Sequence, residues 1–244
     1  MSRYSYNKNY FLTIDTPEKA YWFGFLCADG SITRFYSGEK LRSMSIEVTV
    51  KADDEEHLHK YLSALESNTP IQRREVYLKS TDKIYTACRS VVNNTHLCWT
   101  LIDHGCTPCK SLTLKFPDEK DVPKHLISHF MRGYFDGDGC IAQYDSKRQK
   151  TTVWTLCGTK EFLDGYAAIL IANGIYVNRD ATLDKRGEHI YELRIHGLEN
   201  IKNAMEFLYR DSDESIRLDR KYEAYKSMNF IDGRALANKK RCAS

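Results

Sequence analysis

The sequence contains one short segment twice. Trp22-Phe23-Gly24-Phe25-Leu26-Cys27-Ala28-Asp29-Gly30 returns as Met131-Arg132-Gly133-Tyr134-Phe135-Asp136-Gly137-Asp138-Gly139, with Gly, aromatic, apolar, any, small, Asp and Gly in the same order. An internal repeat constrains architecture before any single motif does, because the fold must be built from two similar units. The stretch after each copy repeats too: the periodicities predict strands, a helix, more strands and a second helix.

In the first copy, Ser45 to Lys51 alternates strictly, with Ile46, Val48 and Val50 on one face and Glu47, Thr49 and Lys51 on the other. Residues 54–66 carry Leu58, Tyr61, Leu62 and Leu65 at helical spacing, and strand-like runs follow at 71–79 and 84–91. Asn94 begins a helix on Leu97, Cys98, Leu101 and Ile102, with Gly105 as a left-handed stop. The second copy predicts a strand over 151–157, a helix from Thr159 to Gly174, strands near 175–183 and 188–195, and a helix on Leu198, Ile201, Met205 and Leu208. Between the copies, Phe116-Pro117-Asp118-Glu119-Lys120-Asp121 reads as a linker, and the basic tail after Asp232 is expected to fray.

Composition narrows the class. With 42% hydrophobic and 28% charged residues in 244, the chain is globular rather than disordered. It has no apolar run of about 18 residues and no export signal, so an intracellular protein is expected. Its eight cysteines then read as reduced thiols. Cys106 and Cys109 form a Cys-x-x-Cys with no second pair at zinc-ribbon spacing. A net charge of +3 is too small to signal nucleic acid, so the distribution of charge must.

Asp15-Thr16-Pro17 and Asp121-Val122-Pro123 place proline near the first turn of a helix in each repeat, and both helices end at glycine. Gly24 and Ala28 share one face, as do Gly133 and Gly137, so the two helices are expected to pack closely. Parallel packing brings Asp29 and Asp138 together at helix C-termini, where the macrodipole already disfavours negative charge. At a dielectric near 20, two charges about 6 Å apart repel by roughly 3 kcal/mol. Divalent cations relieve this, and oxygen ligands suit magnesium, which points to metal-assisted phosphoryl transfer. A lone Asp-Gly is ordinary turn chemistry with glycine at positive φ, and it is the second copy that favours a site. A calcium loop fails on spacing, because an EF-hand register puts Tyr134 at the first ligand position and Asp145 at the last.

At Gly24 to Gly30 and Gly133 to Gly139 the sequence resembles the LAGLIDADG homing endonucleases, specifically members with two motifs in one chain. The resemblance covers about residues 15–230. It implies an α+β fold of two pseudo-symmetric αββαββα halves, with paired motif helices at the interface and antiparallel sheets forming a DNA-binding saddle. The halves would be 1–116 and 124–232, with 117–123 as linker and 233–244 as tail. It further implies that Asp29 and Asp138 ligate the catalytic ions, helped by the carbonyls of Ala28 and Gly137. The ion would be Mg2+, with Mn2+ or Ca2+ able to occupy the site. Lys110, in Cys106-Thr107-Pro108-Cys109-Lys110-Ser111, and Lys221, in Leu218-Asp219-Arg220-Lys221-Tyr222, match the family's lysines near the metal site. Cys27 stands where the second motif has Asp136; activity is expected to survive this, with unequal contributions from the halves.

The resemblance implies a monomer that cuts double-stranded DNA. Candidate DNA contacts are Arg34, Lys40, Arg42, Arg73, Lys79 and Arg89 in the first half, and Gln143, Lys147, Arg148, Lys150, Arg179, Lys185, Arg186 and Arg194 in the second. Taken singly, such residues also serve as solubilising charges on strands. A cleavage-deficient relative, an RNA maturase or DNA-binding regulator, is the alternative, and retention of both Asp29 and Asp138 favours the nuclease. The ending Cys242-Ala243-Ser244 lacks the His-Asn pair usual in protein splicing, so a free-standing or intron-encoded protein is expected.

Overall fold

The computed structural model describes residues 4–79, 82–145, 150–177, 182–183, 190–228 and 230. The first half runs α1 (Pro17–Asp29), β1 (Gly30–Ser37), β2 (Lys40–Lys51), α2 (Glu55–Ala64), β3 (Gln72–Leu78), β4 (Lys83–Asn93) and α3 (Thr95–Asp103). The second repeats the plan as α4 (Ile127–Asp138), β5 (Gly139–Asp145), β6 (Lys150–Gly158), α5 (Lys160–Ala172), β7 (Thr182–Leu183), β8 (Tyr191–Ile195) and α6 (Leu198–Tyr209). It then adds α7 (Asp219–Ser227). Where two long strands were expected near 175–183 and 188–195, the described residues give β7 and β8 only, and 175–177 are not strand. Tail residues 231–244 lie outside the described residues.

The two sheets share one topology. The orders β1-β2-β4-β3 and β5-β6-β8-β7 are both antiparallel throughout. In each sheet one row of side chains is buried under the helices: Ile32, Met44, Ile46, Val48 and Val92 in the first, Ile141, Trp154, Leu156, Leu193 and Ile195 in the second. The opposite row is left open. One continuous core joins the halves, from Trp22, Phe25 and Leu58 through Phe130 and Phe135 to Trp154 and Phe162. Among the described residues, no helix is long and apolar enough to cross a membrane.

Local chemistry explains the helix ends. Thr16 caps α1 by accepting from the Lys19 amide at 3.2 Å, and Pro17 opens its first turn. Pro123 instead precedes a single 3-10 turn, and α4 begins at Ile127. Asn94 and Thr159 cap α3 and α5 through their own side chains. Gly105 and Gly174 take the left-handed backbone (φ +95° and +78°) that stops those helices.

The segment between the halves is docked, not free. Its Asp118 carbonyl accepts from the Val122 amide at 3.0 Å, Val122 is buried, and the Phe116 ring packs 5.5 Å from Phe162 and 5.8 Å from Phe130. Phe116 uses the space left by Gly165, where a Cβ would stand 2.7 Å from its ring.

Candidate active site

The motif helices α1 and α4 touch backbone to backbone. A Cβ on Gly24 would collide with the Phe130 carbonyl and stand 3.0 Å from the Tyr134 nitrogen. One on Gly133 would collide with the Tyr21 carbonyl and stand 2.8 Å from the Phe25 nitrogen. Further along, Gly137 meets the Ala28 methyl and the Asp29 carboxyl, 3.4 Å from where its Cβ would be. Positions therefore rise together along both helices, which run parallel. Their C-terminal ends, with Asp29 and Asp138, arrive at one place.

At that place each helix passes directly into a strand. Gly30 has φ −74° and Gly139 φ −82°, so neither Asp-Gly is a turn with glycine at positive φ. Glycine is needed here for room: a Cβ at Gly30 would stand 3.0 Å from the Leu26 Cα.

Both carboxylates are exposed to solvent, yet the protein atoms gathered round them keep part of their water away. This loss of water, followed by the charge of Asp138, pushes Asp29 up to about 6. Asp138 is raised as well, chiefly by the same desolvation, with Lys110 and Lys221 pulling the other way. Asp29 therefore keeps a proton, between its ordinary 3.8 and about 6, that the unfolded chain has released. Without metal, stability must fall as pH rises through that window. Asp29→Asn is expected to raise the metal-free Tm at pH 7 and to give no gain near pH 4, as measured by calorimetry in EDTA. A lower Tm for the variant at pH 7 would contradict the repulsion.

The two lysines are not solvated surface residues. Lys221 is 6% exposed and donates to the carbonyls of Phe135 (2.8 Å), Gly137 (3.1 Å) and Gly139 (2.5 Å). Gly137 stands in the last turn of α4, where a carbonyl lacks a helical partner and a cation is favoured; the Phe135 carbonyl accepts from the Gly139 amide as well, and Gly139 opens β5. Burial draws the Lys221 ammonium below its ordinary value, against the pull of Asp136, Asp29 and Asp138. Lys110, 7% exposed, donates to the carbonyl of Gly30, the counterpart of Gly139.

Asp136 is the position where the motifs differ. It is buried and accepts from Tyr21 Oη (2.7 Å), Tyr209 Oη and the Leu218 amide (2.8 Å). Arg132, one turn earlier and fully buried, donates to the carbonyls of Leu208 (2.9 Å) and Ile216 (2.8 Å). Together they fasten the segment that leads to Lys221. Cys27 has a thiol partner instead, Cys106, whose Sγ also donates to the Leu26 carbonyl at 3.7 Å. With Cys106 buried and Cys109 exposed, the Cys-x-x-Cys does not act as a unit. The Asp136 network was not legible beforehand, though an Arg and an Asp spaced i,i+4 on a helix of the core was a signal.

The basic residues divide by strand parity. Arg89 and Arg194 stand in the open rows, each already paired with an acid: Arg89 with Glu47 at 2.5 Å, Arg194 with Glu192. Arg34, Arg73 and Gln143 depart from the reading as saddle contacts, because they fall in the rows that face the helices. The Arg34 guanidinium lies 5.7 Å over the Trp99 ring, Arg73 pairs with Glu55 of α2, and Gln143 donates to Thr152 at 2.9 Å. Arg74, not singled out from sequence, takes the open row in place of Arg73 and lies 3.9 Å from Glu47. Lys40, Arg42 and Lys79 are exposed on or beside the strands. Lys147, Arg148, Arg179, Lys185 and Arg186, and the side chain of Lys150, lie outside the described residues.

Two clefts flank the helix ends. One, of about 620 Å³, is lined by Asp29, Gly137, Lys51, Asp54, Arg74 and Arg220 among others. The other, of about 180 Å³, is lined by Ala28, Asp138, Lys110, Ser111, Tyr134 and Thr159 among others. Among the described residues no three His, Cys, Asp or Glu side chains form a metal cage. Two carboxylates beside open clefts are the donor set that magnesium takes, with water and phosphate completing its shell.

The duplicated helix-to-strand unit, with parallel helices in backbone contact, is a fold that this chain shares with solved LAGLIDADG homing endonucleases. Residues 126–208 match the family model described as a LAGLIDADG-like domain. Among solved structures, the chain is similar to the meganuclease I-SmaMI bound to uncleaveable DNA: 12% identity, TM-score 0.54, covering 84% of this chain and 88% of that one. It is similar also to the LAGLIDADG homing endonuclease I-GzeII in complex with its DNA target: 12% identity, TM-score 0.54, covering 86% and 87%. I-SmaMI bound to an uncleaved target in the presence of calcium ions gives 10% identity and TM-score 0.54, covering 87% and 90%. A stretch of 127 residues, 48% of the chain, is 29% identical to a probable translation initiation factor IF-2 of Methanocaldococcus jannaschii; it spans 10% of that protein's length.

Proposed function

We propose that this protein is a divalent-metal-dependent endonuclease that hydrolyses one phosphodiester in each strand of double-stranded DNA at a long recognition site, acting as a monomer. The observation that carries this reading is the pair of carboxylates, Asp29 and Asp138, held together at the joined ends of α1 and α4. Calcium and DNA in the structures of similar fold support it.

Asp29 and Asp138 would hold the ions, with the carbonyls of Ala28 and Gly137. Bound there, magnesium supplies Lewis-acid activation of water and phosphate. In the reaction a water oxygen bonds to phosphorus and gives its proton to solvent, while the P–O ester bond breaks. The ester oxygen keeps the electron pair and is protonated. Lys110 and Lys221 set the positive potential beneath the carboxylates and fix the helix ends on which they stand. The open rows of both sheets, with Arg89, Arg194 and Arg74, would lie along the duplex, with affinity falling steeply as salt rises. The units 1–116 and 124–232, joined through 117–123, would each meet one half-site.

Selection of cut molecules from a random DNA library, with Mg2+ or with EDTA, tests the reading. One site recovered only with metal is the expected result. Salt-dependent binding without cutting in Mg2+ or Mn2+ would make the protein a cleavage-deficient relative instead.

A further inference from the structure

We infer that Arg220 grips the phosphate cut in the Asp29 cleft and that its twin offers no arginine among the described residues, so the two DNA strands are cut at unequal rates. This rests on the nuclease reading and deepens it.

The two lysine-bearing segments are pseudo-equivalent, since each lysine donates to the carbonyl of the glycine that follows a motif aspartate. The residue before each lysine differs. Before Lys110 stands Cys109, an exposed thiol at φ +56°. Before Lys221 stands Arg220, which reaches across to the first half and is held by Asp54. Its Nε lies 3.0 and 3.2 Å from the two carboxylate oxygens and its Nη2 2.9 Å from one of them. Asp54 is itself 7% exposed, so the guanidinium is anchored on a buried acid while its own side chain is 53% exposed.

This geometry leaves Nη1 as a donor edge that Asp54 does not occupy. The residue lines the cleft that also holds Asp29 and Gly137. A planar, fixed fork of this kind suits the non-bridging oxygens of a phosphate, on which negative charge gathers as the ester breaks. The described lining of the second cleft has Lys110 and no arginine. Because Asp54 already offsets the charge of Arg220, the difference between the clefts is one of directed hydrogen bonds more than of net charge.

The test uses a duplex carrying a selected site, each strand labelled with its own dye, and follows both strands in one reaction. Arg220→Gln is expected to slow one strand by about 10- to 100-fold, the scale of one lost preorganised donor, and to leave the other within about twofold. Nicked duplex then accumulates. Arg220→Lys keeps a charge for Asp54 but not the fork, and is expected to slow the same strand with little change in Tm. Equal slowing of both strands, in either variant, would show that Arg220 only rivets the halves and overturns the inference; so would no slowing. Wild-type protein that binds the duplex but cuts neither strand in Mg2+ or Mn2+ would instead overturn the nuclease reading and the inference with it.

Discussion

Asp29→Asn and Asp138→Asn are each expected to lower double-strand cleavage by at least about a thousandfold, which is roughly 4 kcal/mol of transition-state stabilisation. The amide keeps the size of the carboxylate and removes its charge, so the helix ends need not move. DNA affinity, measured by fluorescence anisotropy, should change by no more than about threefold, because the open sheet rows that would meet the duplex are untouched. The pairing of weak cutting with intact binding separates a lost ion site from a lost fold. Retained cutting in both variants would remove the carboxylates from the centre.

The second large effect is expected at the helix contact. Gly24→Val and Gly133→Val place carbon atoms where the Phe130 and Tyr21 carbonyls stand, and backbone cannot rotate away as a side chain can. Overpacking typically costs about 1–3 kcal/mol, and a backbone obstacle inside a continuous core puts these two at or above the upper end. Urea unfolding should show it as a lower midpoint. The same displacement would part Asp29 from Asp138, so any folded fraction should also lose cleavage in Mg2+. A variant with wild-type midpoint and activity would mean that the helices do not meet at these glycines.

Much of this was legible because periodicity and repetition are local. Leu58, Tyr61, Leu62 and Leu65 face the core as their spacing implies, and Gly24 and Gly133 mark the contact through which the halves join. Strand rows were harder. Arg73 and Arg74 are neighbours in sequence, and only the pairing of β3 with β4 decides which of them turns toward α2 and which toward the open face. In the same way Arg34 looked like a saddle residue until register placed it in the row of Ile32, above Trp99. Long-range polar partners left still less trace. Asp54 and Arg220 lie in different halves, and Lys60 meets Asp219 at 2.5 Å across the same boundary. No window of sequence brings such residues side by side. The lysines show the converse: the family resemblance singled out Lys110 and Lys221, while their burial and their bonds to backbone carbonyls had to come from the fold.

The fastening of α4 by residues 216–221 has a consequence for how the protein matures during synthesis. Translation makes α4 long before it makes the amide of Leu218 and the ammonium of Lys221, which complete the hydrogen bonding of Asp136 and of the helix end. Until those residues leave the ribosome, a nascent chain carries both acids but lacks the clamp that sets their spacing. Under the nuclease reading, competence to cut would therefore arrive only with α7, and half-finished copies would be harmless to the cell that makes them.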